Sequence, residues 1–84
     1  MNKTDYKFIC FEELEVKTKT KSFMVKNKMT GYLLGRVKWY ALWRKYCFFV
    51  DYGDLVFDTG CLADIQDFIN NLMLERRMVK NEKS

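Results

Sequence analysis

Two periodicities divide the chain, and together they restrict the folds open to it. In residues 22–28, SFMVKNK, Phe23 and Val25 fall on one side while Ser22, Met24 and Lys26 fall on the other. The alternation resumes over residues 32–40, with Leu33, Gly35, Val37 and Trp39 facing one way and Leu34, Arg36, Lys38 and Tyr40 the other. Period two with charge on one side is the pattern of an antiparallel strand half buried in a sheet. Asn27 and Gly31 in the intervening NKMTG suit the positive φ of a hairpin turn. After Asp58 the period changes. Cys61, Leu62, Ile65, Phe68, Ile69, Leu72 and Met73 recur at spacings of three and four, the stripe of an amphipathic helix, with Asp64, Asp67, Asn70, Asn71 and Glu75 opposite.

The remaining segments complete an α+β domain. YKFICF (6–11) reads as a strand ended by Glu12-Glu13, KYCFFV (45–50) as a strand closed by Asp51 and Gly53, and Leu55–Phe57 as a short last one. Ala41–Arg44 connects two strands with Leu42 and Trp43 where turns usually carry Gly or Asn. Asp58 or Thr59 can cap the helix, with Asp64 and Asp67 near its positive end and Arg76, Arg77 and Lys80 near its negative end. The expected architecture is an antiparallel β-meander of four or five strands with one C-terminal α-helix packed on one face. It forms a single domain over residues 1–84, with an ordered core at about 6–77 and a flexible tail at about 78–84. Trp39, Tyr46 and Phe48 are expected in its core, Trp39 beneath the helix against Ile65 and Ile69.

Composition removes several function classes. The chain has no histidine, and its four glycines do not cluster into a phosphate loop. Its three cysteines, Cys10, Cys47 and Cys61, are too few for a structural zinc site and read as buried thiols in a reducing cytoplasm, with Cys10 the candidate reactive one. Asp51, Asp54 and Asp58 offer oxygen ligands but lack the spacing of a calcium loop. The longest uninterrupted apolar runs, Trp39–Trp43 and Tyr46–Val50, are far short of a membrane span, and the polar start MNKTDYK has no signal-peptide character. These features predict a cytoplasmic, non-enzymatic binding protein with no catalytic residue, cofactor, metal or membrane association.

Charge points to the binding surface. Basic residues alone occur from Lys17 to Val50, and acids alone from Tyr46 to Leu74. Strand parity puts Arg36, Lys38 and Tyr40 on the face away from the helix, and Trp43, Arg44 and Lys45 follow at the adjacent hairpin. Cations beside flat side chains suit phosphate contact combined with base stacking. The same residues also suit a protein partner, since Trp, Tyr and Arg dominate interface hot spots, or a merely solvated sheet.

LGRVKWYALWRKYCFFV followed by VFDTGCLADIQDFINNL resembles a family of short phage and mobile-element proteins with the pattern LG-x-hydrophobic-x-WY, WR-x-YCF, then CL-x-[DE]-I-x-x-F. The matching residues are Leu34, Gly35, Trp39, Tyr40, Trp43, Arg44, Tyr46, Cys47, Phe48, Phe57, Cys61, Leu62, Asp64, Ile65 and Phe68. Asp51-Tyr52-Gly53 departs from it, since relatives often carry a proline-containing turn there. The resemblance implies host takeover or counter-defence, including action on a CRISPR factor, and assigns no activity. In architecture alone the chain is similar to the DNA-binding domains of plant ethylene-response factors and of some integrase N-termini. That likeness implies a sheet laid against DNA, and a shared fold does not fix function.

Overall fold

In a computed structural model of the chain, residues 3–16, 18–51, 53 and 55–82 are described, with 78–82 described by their backbone. The fold is α+β. Strands β1 (Ile9–Leu14), β2 (Ser22–Asn27), β3 (Leu33–Tyr40) and β4 (Lys45–Val50) precede one helix, α1 (Thr59–Glu82). The strands pair antiparallel in the order β1-β2-β3-β4, so each hairpin joins neighbours in sequence. Among the described residues, α1 covers one face of this open sheet and nothing covers the other.

The covered face follows from alternation. Ile9, Phe11, Phe23, Val25, Val37 and Tyr46 point toward α1 and are buried together with Ile65, Phe68 and Leu72 of the helix. Phe68 is the centre, stacked on Phe11 at 3.9 Å and edge-on to Phe23 at 4.8 Å. Fully burying a side chain of this size contributes about 1.5–3 kcal/mol, so the aromatic cluster supplies much of the stability of a small domain.

Four sequence expectations need correction. Strand β1 starts at Ile9, because the Tyr6 amide donates to the Ile9 carbonyl at 3.0 Å and closes a turn. That turn lays Thr4 and Asp5 back along β1, and the strand continues through Glu12 and Glu13 to Leu14. In β3 the partner register jumps from Val25–Gly35 to Lys26–Leu33, which leaves Leu34 as a bulge residue and turns it, rather than Leu33, into the core. Leu55–Phe57 forms no strand. Leu55 and Phe57 instead pack on the core from irregular backbone, Phe57 edge-on to Phe48 at 5.4 Å. Leu62 falls outside the buried helical stripe and is exposed.

Turn chemistry is partly as expected. Gly31 takes a φ of 77°, while Asn27 serves through its side chain, whose Oδ1 accepts from the amides of Met29 and Thr30. The helix begins at an Asp58 cap, where Oδ1 accepts from the Cys61 amide at 2.8 Å. That bond holds the Asp58 carboxyl below its ordinary pKa. Asp64 and Asp67 lie beyond the first turn, where the helix dipole has little hold on them. The backbone is helical to Glu82. The tail expected at about 78–84 has its side chains, and residues 83–84 entirely, outside the described residues.

Candidate nucleic-acid interface

The uncovered face is built by the other parity. On β3 it carries Arg36, Lys38 and Tyr40, and the β4 residues opposite them are Phe49, Cys47 and Lys45. Beyond Tyr40 the chain makes two overlapping turns, with the Trp43 amide donating to the Tyr40 carbonyl and the Arg44 amide to that of Ala41, each at 3.2 Å. This geometry folds the Trp43 ring edge-on against Tyr40, with centroids 5.0 Å apart. Tyr40 in turn meets Phe49 edge-on at 5.8 Å, and the Lys38 ammonium sits 4.6 Å above the Phe49 ring. The result is a continuous row of Trp43, Tyr40 and Phe49 crossed by a cation. Trp43 is 65% exposed at its end, the state a stacking platform needs.

Ion pairing sharpens the charge distribution. Among the described residues, Lys26 pairs with Glu12 at 3.0 Å, Lys28 with Asp5 at 2.7 Å and Lys21 with Glu75 at 2.6 Å. The hydrogen bond from Lys21 to Glu75 raises the lysine pKa. Arg36, Lys38, Arg44 and Lys45 have no salt bridge among the described residues. Positive potential therefore collects on the β3–β4 half of the sheet, while the β1–β2 half is neutralised by its own acids.

Five of the six expected site residues, Arg36, Lys38, Tyr40, Trp43 and Lys45, belong to this face or the hairpin that ends it. Arg44 does not. It adopts a left-handed φ of 54° and lines a cleft on the helix side with Trp39, Met73, Arg76 and Arg77. Phe49 is the residue that sequence reading missed. Its position was implied, because an inward Tyr46 and Phe48 oblige Cys47 and Phe49 to face outward.

Other candidate chemistry is sparse. Cys10, Cys47 and Cys61 are half-buried free thiols rather than buried ones, since Cys10 and Cys47 lie on the uncovered face. Burial, and then contact with Asp58, push the Cys61 thiol above its ordinary pKa, the reverse of an activated nucleophile. Asp54, a member of the acidic trio read as a candidate cation site, lies outside the described residues, and Asp58 is occupied as the helix cap. No group of side chains among the described residues is arranged to hold a metal ion. No helix among them is long and apolar enough to cross a membrane.

The described residues thus form a four-stranded meander backed by one helix, with a cationic aromatic row on its open face. The chain is 39% identical over 59 residues to the "Uncharacterized 9.3 kDa protein" of Acholeplasma phage L2, an alignment covering 70% of this chain and 74% of that protein. It belongs to that family of small phage proteins. No protein-family model matches the chain. No solved structure matches it significantly.

Proposed function

We propose that this phage protein binds nucleic acid, without catalysis and in the cytoplasm, through the open face of its sheet. The observation that carries the reading is the row of Trp43, Tyr40 and Phe49 flanked by Arg36, Lys38 and Lys45, cations with no acidic partner among the described residues. Unpaired cations can contact phosphates without first breaking an ion pair, and an exposed indole can stack on any base. The LG…WY…WR…YCF pattern of residues 34–48 supports a phage or mobile-element origin.

Fluorescence anisotropy with single-stranded and duplex oligonucleotides tests the reading. Affinity should fall with salt at a log–log slope of about −0.9 per phosphate neutralised on duplex DNA and about −0.7 on single strands. Lys38→Glu should flatten that slope. Trp43→Ala should lose about 1–3 kcal/mol with the slope preserved, as expected for stacking. Dissociation constants weaker than about 10⁻⁴ M at low salt, the edge of ordinary non-specific binding, reject the proposal.

A second reading, inhibition or adaptation of a host or defence factor such as a CRISPR component, is favoured by a different observation. Leu42 and Trp43 project together from the β3–β4 turn, 80% and 65% exposed, as an apolar anchor would. Capture of a host protein that survives nuclease treatment and is lost in Trp43→Ala selects this reading over the first.

A further inference from the structure

The helix-side cleft is separate from the sheet face and has its own chemistry. It is lined by Trp39, Arg44, Met73, Arg76 and Arg77, which brings three arginines to one cleft with no carboxylate among the described lining residues. None of the three is in a salt bridge among the described residues, and the nearby helical acid Glu75 is committed to Lys21 at 2.6 Å. One of the three is also held in place. Arg76 lies over the Trp39 indole at 4.0 Å, which fixes the plane of its guanidinium and leaves its N–H edge available. Arg44 reaches the cleft from the β3–β4 turn, where its backbone φ is 54°.

Size selects the ligand. The cleft volume is about 180 Å³, well below the roughly 300 Å³ at which pockets for drug-sized ligands begin. That volume gives room for a tetrahedral oxyanion with a few waters. We infer that Arg44, Arg76 and Arg77 form a phosphate-group site, taking either the terminal phosphate of a nucleic acid or a free phosphate compound. Three guanidinium forks match the several oxygens and the double charge of a phosphate monoester better than the single charge of a carboxylate. The site does not depend on nucleic-acid binding by the sheet face.

Trp39 provides the reporter. The full chain carrying Trp43→Phe has one indole, and inorganic phosphate is titrated against it with chloride adjusted to hold ionic strength constant. A saturable change in Trp39 emission is expected, weakened about tenfold or more by Arg44→Gly, the loss that follows from one charge-assisted hydrogen bond. Glycine accepts a φ of 54° without strain, so this variant removes the guanidinium and keeps the fold, as circular dichroism should record. Arg77→Gln should weaken binding comparably. A response that fails to saturate, or that saturates alike in Arg44→Gly and Arg77→Gln, overturns the site. Tighter binding of a 5′-phosphorylated oligonucleotide than of its 5′-hydroxyl counterpart, abolished by Arg44→Gly, identifies a nucleic-acid end as the source. Equal binding of the two, with the phosphate response intact, identifies a free phosphate compound. Because phosphate is read with no nucleic acid present, the sheet-face proposal and this one can each fail alone.

Discussion

Gly35 shows how closely β3 and β4 approach. A Cβ there would overlap the Phe49 carbonyl oxygen and lie 2.8 and 2.9 Å from the Phe48 ring. A backbone oxygen cannot swing aside, so Gly35→Ala should cost about 3 kcal/mol, the upper end of overpacking, and a urea melt should show the midpoint fall. Tyr6 acts on a different variable. Its part-buried hydroxyl donates to Asp67 at 2.8 Å, and burial first, then that bond and the Asp67 charge, raise its pKa. The unfolded phenol ionises at about pH 10 while the folded one keeps its proton, so the stabilisation is complete below that pH and declines as pH rises toward the folded value. Tyr6→Phe should cost about 1 kcal/mol at neutral pH, a figure reduced by the exposure of Asp67, and should lessen the alkaline loss of stability seen in parallel melts. A variant that loses stability above pH 10 as steeply as the parent removes Tyr6 from that role.

At the scale of elements, α1 meets the sheet through Ile65, Phe68 and Leu72, and Phe68 is its fully buried aromatic contact. Phe68→Ala removes the stacked partner of Phe11 and the edge contact to Phe23, with an expected cost of about 3–5 kcal/mol and early melting by circular dichroism. Trp39 is placed on the expected face but is half-buried, with Arg76 as its cover and Tyr46 edge-on at 5.4 Å. Its replacement by Ala should therefore cost less than that of Phe68. The central strands and the helix were legible because each buries one face, which writes a clean period into the residues. Element ends were less so. The aromatic run at Tyr6–Phe8 has strand composition, but its amide bonds close a turn, and Leu55–Phe57 is apolar because it plugs the core from a loop. The bulge at Leu34 is set by pairing with β2, a relation between distant residues that a local alternation cannot express. The same limit explains Arg44, which lies next to Trp43 in sequence yet leaves its face because one left-handed residue reverses the direction of the side chain.

For the whole molecule, charge and fold are divided along the same line. The acids of β1 and the N-terminal turn pair with lysines on one side of the sheet, and the cations of the opposite side have no acidic partner among the described residues. The ion pairs that achieve this are exposed, contribute at most about 1 kcal/mol each, and matter more to where the potential lies than to stability. Strand order carries a further consequence, in time. Every strand pairs with its neighbour in sequence, so the sheet can form from short loop closures, whereas the bonds joining α1 to the sheet side, Tyr6–Asp67 and Lys21–Glu75, span 61 and 54 residues. The meander is expected to assemble first and the helix to dock after the rate-limiting step. In stopped-flow chevrons Val37→Ala should then slow refolding, while Phe68→Ala should leave the refolding limb in place and speed unfolding. Slowed refolding in Phe68→Ala would put helix docking within the transition state. On the expected order, the open sheet face exists before the helix seals the core, and the nascent chain presents its aromatic row to solvent, and to any partner, while the domain is still incomplete.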